Sequence, residues 1–167
     1  MTPWGASNAS SGTIESAMLA ELQMVELTDQ AGRFVAPGLV STAAEVHRQL
    51  RPKLVGDYVA RIEAVCAGGA RLAAAVHDDR VVGLALWRIV DNTYEGRRLY
   101  VDDLVTDEAL RGRGVGKFLL GWLAGEGRRT GCDVLALDSG VQRERAHAFY
   151  FREGFAIPSF SFRKKLV

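Results

Sequence analysis

The stretch Arg111–Leu123, RGRGVGKFLLGWL, decides how the rest of the chain is read. Gly112, Gly114 and Gly116 are interleaved with Arg111 and Arg113 and followed by Lys117. From Val115 the apolar positions 115, 118, 119, 122 and 123 form the stripe of an amphipathic helix. Flexible residues and positive charge therefore gather at a helix entrance. A helix start leaves four N–H groups unpaired and carries about half a positive charge. Glycine lets the backbone approach an anion closely, and arginine adds a two-pronged fork. A phosphate or pyrophosphate is the natural guest. Two phosphate motifs fail here. A P-loop would need glycine where Arg111 stands and a hydroxyl where Phe118 stands; a GxGxxG would need glycine at Lys117 or Leu119.

Working outward, strands and helices alternate. Upstream, RLAAAVHDDRVVGLALWRIV is two apolar runs around a turn, which predicts a hairpin, and RRLYVDDLVT predicts a further strand. Downstream, DVLALD reads as a strand buried on both faces and RERAHAFYFREG as a helix stopped by Gly154. SFSFRKKL predicts a closing strand by its alternation. Before the hairpin, STAAEVHRQL predicts a helix capped by Ser41 or Thr42 and ended by Pro52. LVGDYVARIEAV predicts a second helix, with a stripe at 54, 55, 58, 59, 62 and 65. LAELQMVELT reads as a first strand or a helix. The expectation is a flexible leader over 1–14, with Trp4 in it, and one mixed α/β domain over 15–167.

Bulk properties narrow the function. The 167 residues carry a net charge of +1, which gives no support for nucleic-acid or membrane-surface binding. No apolar run reaches the roughly 18 residues of a membrane helix. The start of the chain lacks the layout of a secretory signal, and two distant cysteines make no disulfide framework, so the cytoplasm is the expected compartment. His47, His77 and His147 show no ligand spacing, and no metal site is expected. His147 reads as a helix-surface residue, and Trp87 and Trp122 as packing residues.

Arg111 to Gly116 matches the R/Q-x-x-G-x-G/A signature of the GNAT superfamily of acyl-CoA-dependent N-acetyltransferases, and AHAFYFREGF, Ala146–Phe155, resembles the second motif of that family. The resemblance spans about residues 72–157. It implies a GNAT fold: a central, mostly antiparallel mixed sheet flanked by helices and splayed in a V between the strands near 99–106 and 133–138. It implies acetyl-CoA as co-substrate, with its pyrophosphate on the backbone from Gly112 through Arg113, Gly114, Val115 and Gly116 to Lys117. It also implies that the pantetheine arm pairs with the backbone near Leu104 and Val105. Where many members carry an asparagine, this chain has Arg143, which either contacts the coenzyme or acceptor or faces solvent; Ser139 and Gly140 are alternative cleft residues.

Transfer of acetyl to an amine poses two proton problems. A lysine-like amine, with a pKa near 10.4, costs roughly 4–5 kcal/mol to hold neutral at pH 7. The departing thiolate needs a proton. The resemblance puts Tyr150 near the coenzyme sulfur as the acid; its helix pattern alone reads as a core tyrosine. Asp102 and Asp103 are the candidate base and acceptor contact. As neighbours on a strand they are expected on opposite faces, unless a bulge alters the parity. The plainer reading is ion pairing to Arg97, Arg98 or Arg111. The resulting expectation is an N-acetyltransferase acting on a primary amine by direct attack in a ternary complex, with a small-molecule acceptor. The alternatives are a protein or peptide acetyltransferase and a non-catalytic acyl-CoA-binding module. SFSFRKKL also offers an edge for a homodimer.

Overall fold

The computed structural model describes residues 18–166. The expected leader and Trp4 lie outside the described residues. Five strands form one sheet in chain order: β1 (Gln23–Glu26), β2 (Arg71–His77), β3 (Arg80–Asn92), β4 (Gly96–Thr106) and β5 (Val134–Leu137). The first three pairings are antiparallel, and β4–β5 is parallel.

The β2–β3 hairpin turns on Asp78 and Asp79, both with positive φ (48° and 58°), the left-handed geometry of a tight two-residue turn. Helices α1 (Pro37–Leu50) and α2 (Tyr58–Ala67) cover one face. Helix α3 (Val115–Arg129) covers the other, where residues of α4 (Glu144–Arg152) also pack. Trp87 on β3 meets Trp122 on α3 edge to face, with ring centroids 5.1 Å apart, so both are packing residues.

Several local expectations are corrected. α1 begins at Pro37, four residues before Ser41, because proline pre-sets the first-turn φ; the hydroxyls of Ser41 and Thr42 return to the carbonyls of Pro37 and Leu39. α2 begins at Tyr58, capped by Asp57, whose carboxylate accepts from the Ala60 N–H, so Leu54 and Val55 precede the helix. β5 is half-buried rather than buried on both faces, because among the described residues it has a strand neighbour on one side only. SFSFRKKL forms no strand. Phe160 and Phe162 are 83% and 91% exposed, since alternation makes a strand only where a neighbour supplies the hydrogen-bond ladder.

Gly83 on β3 lets α3 close down on the sheet. A Cβ there would lie 2.9 Å from Val115 Cγ1, 3.0 Å from Leu119 Cδ1 and 3.0 Å from the Val105 carbonyl oxygen. Gly83→Ala is therefore expected to destabilise the protein by about 1–3 kcal/mol through overpacking, read as a lowered urea midpoint. A midpoint equal to wild type would show that the helix can lift without cost.

Candidate active site

Two features of β4 shape the site. The first is where it leaves β5. The strands pair only from Arg98↔Val134 to Val101↔Leu137, whereas β4 runs on to Thr106. The β5-facing edge of β4 from Asp102 to Thr106 therefore has no strand partner among the described residues. Tyr100, opposite Ala136, stands where this fork begins; burial and the nearby Asp138 carboxylate push its pKa up to about 12.

The second feature is a bulge. Leu86 pairs with Asp103 but Trp87 pairs with Val101, so Asp102 is the extra residue. The parity of the strand flips there. Leu99 and Val101 pack toward α3, as does Leu104, while Asp103 and Val105 point to the α1–α2 side. Asp102 accepts from Arg88 Nε at 2.8 Å, and the same guanidinium donates to the Gly68 carbonyl at the end of α2. Both carboxylates thus face the α1–α2 layer, which corrects the expectation of opposite faces. Their ion-pair partners are also different residues from those expected. Arg97 and Arg98 pair instead with Asp91 and Glu95.

Asp103 is the centre of a buried network. His47 Nε2–H donates to Asp103 Oδ2 at 2.8 Å, and the Tyr58 hydroxyl donates to His47 Nδ1 at 3.0 Å. Arg51 Nε donates to Asp103 Oδ1 at 2.6 Å, and its Nη2 donates to the Asp102 carbonyl at 3.2 Å. A carboxylate only accepts, so the Asp103 bond fixes the proton on Nε2 and leaves Nδ1 to accept from Tyr58. Burial alone would raise the Asp103 pKa, but the hydrogen bonds from His47 and Arg51 and the charge of Arg51 outweigh it and hold the carboxyl below its ordinary range. Burial raises the Tyr58 hydroxyl well above its ordinary value, so it stays protonated. A carboxylate held this acidic suits charge placement better than proton abstraction.

His47 was not singled out by its chemistry in the sequence, yet a signal existed. It follows the buried Val40, Ala43 and Ala44 at helical spacing, so it occupies a core position of α1 and is only 1% exposed. Arg51, one residue past the end of α1, and Arg88 carried no such signal.

The glycine-rich loop has the expected form. Gly112 and Gly114 adopt φ of 80° and 84°, which glycine alone adopts cheaply. The first helical bond of α3 runs from the Phe118 N–H to the Gly114 carbonyl. Among the described residues the N–H groups of Gly112, Gly114, Val115, Gly116 and Lys117 have no protein acceptor, whereas that of Arg113 is taken by Leu110. A Cβ on Gly116 would meet Phe149 Cζ of α4 at 3.3 Å, so a glycine here lets the helix start lie close against α4. These unpaired donors, the cations around them and the open edge of β4 fit the pyrophosphate and amide groups of a coenzyme A.

Tyr150 is half-buried on α4 against Phe149 and Phe155. Burial raises its pKa, with the Arg143 guanidinium opposing. Arg143 is exposed at the N-cap of α4, and half-buried Ser139 lies in the turn before it. His147 Nε2–H donates to the Gly140 carbonyl at 3.0 Å, a local tie. No hydrogen bond among the described residues joins Tyr150 to the Asp102–Asp103 network; the two lie in different layers. The fold also gathers Glu21, His77 and Asp78 at an outer corner, where the two ring nitrogens of His77 face the two carboxylates separately, at 3.2 and 3.3 Å.

Comparison with known proteins gives the family and the fold. The sequence profile of the Acetyltransferase (GNAT) family matches residues 41–155. An uncharacterized N-acetyltransferase, YhdJ, of Bacillus subtilis (strain 168) is 34% identical over 121 residues, covering 70% of this chain and 84% of that one. An aminoalkylphosphonate N-acetyltransferase of Salmonella typhimurium (strain LT2) is 36% identical over 66 residues, or 40% of this chain and 43% of that one. Among solved structures, the aminoglycoside N-acetyltransferase AAC(6')-Iy in complex with CoA superposes with a TM-score of 0.73 over 87% of this chain and 95% of that one, at 18% identity. The chain belongs to the GNAT acetyltransferase family and is an acetyl-transferring enzyme. Among the described residues, no helix is long and apolar enough to cross a membrane.

Proposed function

We propose that the protein transfers an acetyl group from acetyl-CoA to the primary amine of a small molecule, by direct attack while both are bound. The observation that carries this reading is the set of five N–H groups at the entrance of α3 that have no acceptor among the described residues, beside the open edge of β4. Gly112, Arg113, Gly114, Val115, Gly116 and Lys117 hold the pyrophosphate, with Arg111 adding charge. The backbone of Leu104 and Val105 pairs with the pantetheine arm, and Ser139 and Arg143 border the same cleft. Acetyl-CoA supplies an acetyl thioester, already activated for attack. Tyr150 Oη keeps its proton at neutral pH, as tyrosine ordinarily does, burial raises its pKa further, and it holds that proton for the leaving sulfur. Asp102, paired with Arg88, takes the proton of the amine through water, and Asp103 holds Arg51 and His47 in place at the wall of the acceptor pocket.

Direct attack is favoured because neither cysteine has the surroundings of a nucleophile. Cys66 is buried and its thiol is pushed up by that burial, and Cys132 is engaged with the Thr130 hydroxyl at 3.4 Å. Initial-rate kinetics with acetyl-CoA and an amine, followed by thiol release, test this. Intersecting double-reciprocal lines are expected; parallel lines would mean an acyl-enzyme. Activity confined to peptide substrates would replace the small-molecule reading with a protein acetyltransferase.

An open pocket of about 560 Å³ next to Asp103 has room for a small acceptor. The outer edge of β5 has no strand partner among the described residues, and Phe160 and Phe162 are exposed in the segment that follows α4. We take these as the surface on which two copies pair. Light scattering should give twice the chain mass, reduced to the single-chain mass when the chain is cut after Ile157. A wild-type monomer would refute the pairing.

A further inference from the structure

We propose that the amine accepted by this enzyme carries an oxyanion (phosphonate, phosphate ester or carboxylate) and that Lys53 and Arg61 bind it. This rests on the acetyltransferase reading above and names its substrate class.

The cavity lies between the end of α1, the loop to α2, the first turns of α2 and the bulged part of β4. Its apolar floor includes Leu50, Ile62, Val65 and Leu86. Its charged groups are Arg51, Lys53, Arg61 and Asp103, with His47 beneath. The one carboxylate among these is already satisfied by His47 and Arg51 and has no charge left to offer a cation. Lys53 and Arg61 are exposed and form no ion pair among the described residues. The cavity is therefore net positive, with two unengaged cations at its wall.

That charge has two consequences. A polyamine or aminoglycoside, with several ammonium groups, meets repulsion. An amine bearing an oxyanion meets an ammonium–carboxylate-type pair from Lys53 and a two-pronged donor from Arg61. The anionic group provides the attraction that brings such an amine into a positive pocket. The cavity borders the stretch of β4 beside the proposed pantetheine path, so an amine anchored by its anion at Lys53 and Arg61 reaches toward the site of transfer.

The test measures kcat/KM by thiol release for 2-aminoethylphosphonate, β-alanine, ethanolamine and spermidine. Calorimetric titration of 2-aminoethylphosphonate into the free protein runs in parallel. The two anionic amines should exceed ethanolamine by at least about tenfold, with spermidine the poorest. In a double variant, Lys53→Gln with Arg61→Gln, that preference and the calorimetric affinity should both fall by at least about tenfold. Both side chains are exposed, so the thermal midpoint reports whether the variant folds. Equal or better use of ethanolamine or spermidine by an enzyme that binds acetyl-CoA would overturn this inference and leave the acetyltransferase reading standing. Phosphonate binding lost in the variant, without acetyl-CoA binding, would do the reverse. A preference kept in the variant would also overturn it.

Discussion

Replacing Tyr150 by phenylalanine should lower kcat by about 100- to 10,000-fold, the usual contribution of a positioned proton donor, and leave the affinity for acetyl-CoA unchanged. The ring packs against Phe149 and Phe155, and that packing survives the substitution. Only the hydroxyl is lost, and it makes no hydrogen bond among the described residues that the fold would miss. The pH profile carries the sharper signature. Burial raises the Tyr150 pKa, with Arg143 opposing, so the wild-type hydroxyl keeps its proton through neutral pH and loses it only above its ordinary range near 10. A basic limb in kcat should therefore appear above that range in the wild type and vanish in the variant. Unchanged turnover in Tyr150→Phe would remove Tyr150 from the chemistry.

Replacing Asp103 by alanine is expected to destabilise the protein by about 1–3 kcal/mol, because it leaves the N–H of buried His47 without an acceptor, while the half-exposed Arg51 cation turns to water. Its pH dependence has a definite sign. The folded pKa is lowered by the bonds from His47 and Arg51, against the effect of burial. The ionised carboxylate therefore contributes stability above its unfolded pKa of about 3.9, and that contribution is lost as pH falls through the lower folded value. Asp103→Asn should flatten the wild-type loss of stability below about pH 4. Urea denaturation at pH 7 and at pH 3 measures both effects. Equal stability of wild type and Asp103→Ala at pH 7 would mean that the network contributes nothing net.

Much of this architecture was legible because local patterns agree with the global fold. The alternation of the β2–β3 hairpin, the stripe from Val115 and the glycines before it each pointed to one structure. Three features were not legible, each for a physical reason. The bulge at Asp102 is a property of how β4 meets β3, and period-two reasoning on one strand places Asp102 and Asp103 on opposite faces by construction. The His47–Asp103 bond joins residues 56 apart, so neither sequence neighbourhood announces it. The alternation of SFSFRKKL could not reveal that β5 would offer it no ladder within the chain. The charge of the proposed acceptor pocket follows from the same packing: once Arg51 balances the charge of Asp103, the acidic pair no longer marks a pocket for cations.

The central claim is that the loop from Arg111 to Lys117 holds the coenzyme. Calorimetric binding of acetyl-CoA to the wild type and to Gly114→Glu tests it most directly. At Gly114, φ is 84° and a Cβ would lie 2.8 Å from Leu19 Cδ2, so the variant distorts the cradle as well as placing a carboxylate in it. Saturable wild-type binding, weakened at least about 100-fold in the variant by strain and charge together, is the predicted result. A wild type that binds neither acetyl-CoA nor free coenzyme A would contradict the account, and so would a variant that binds as tightly as the wild type.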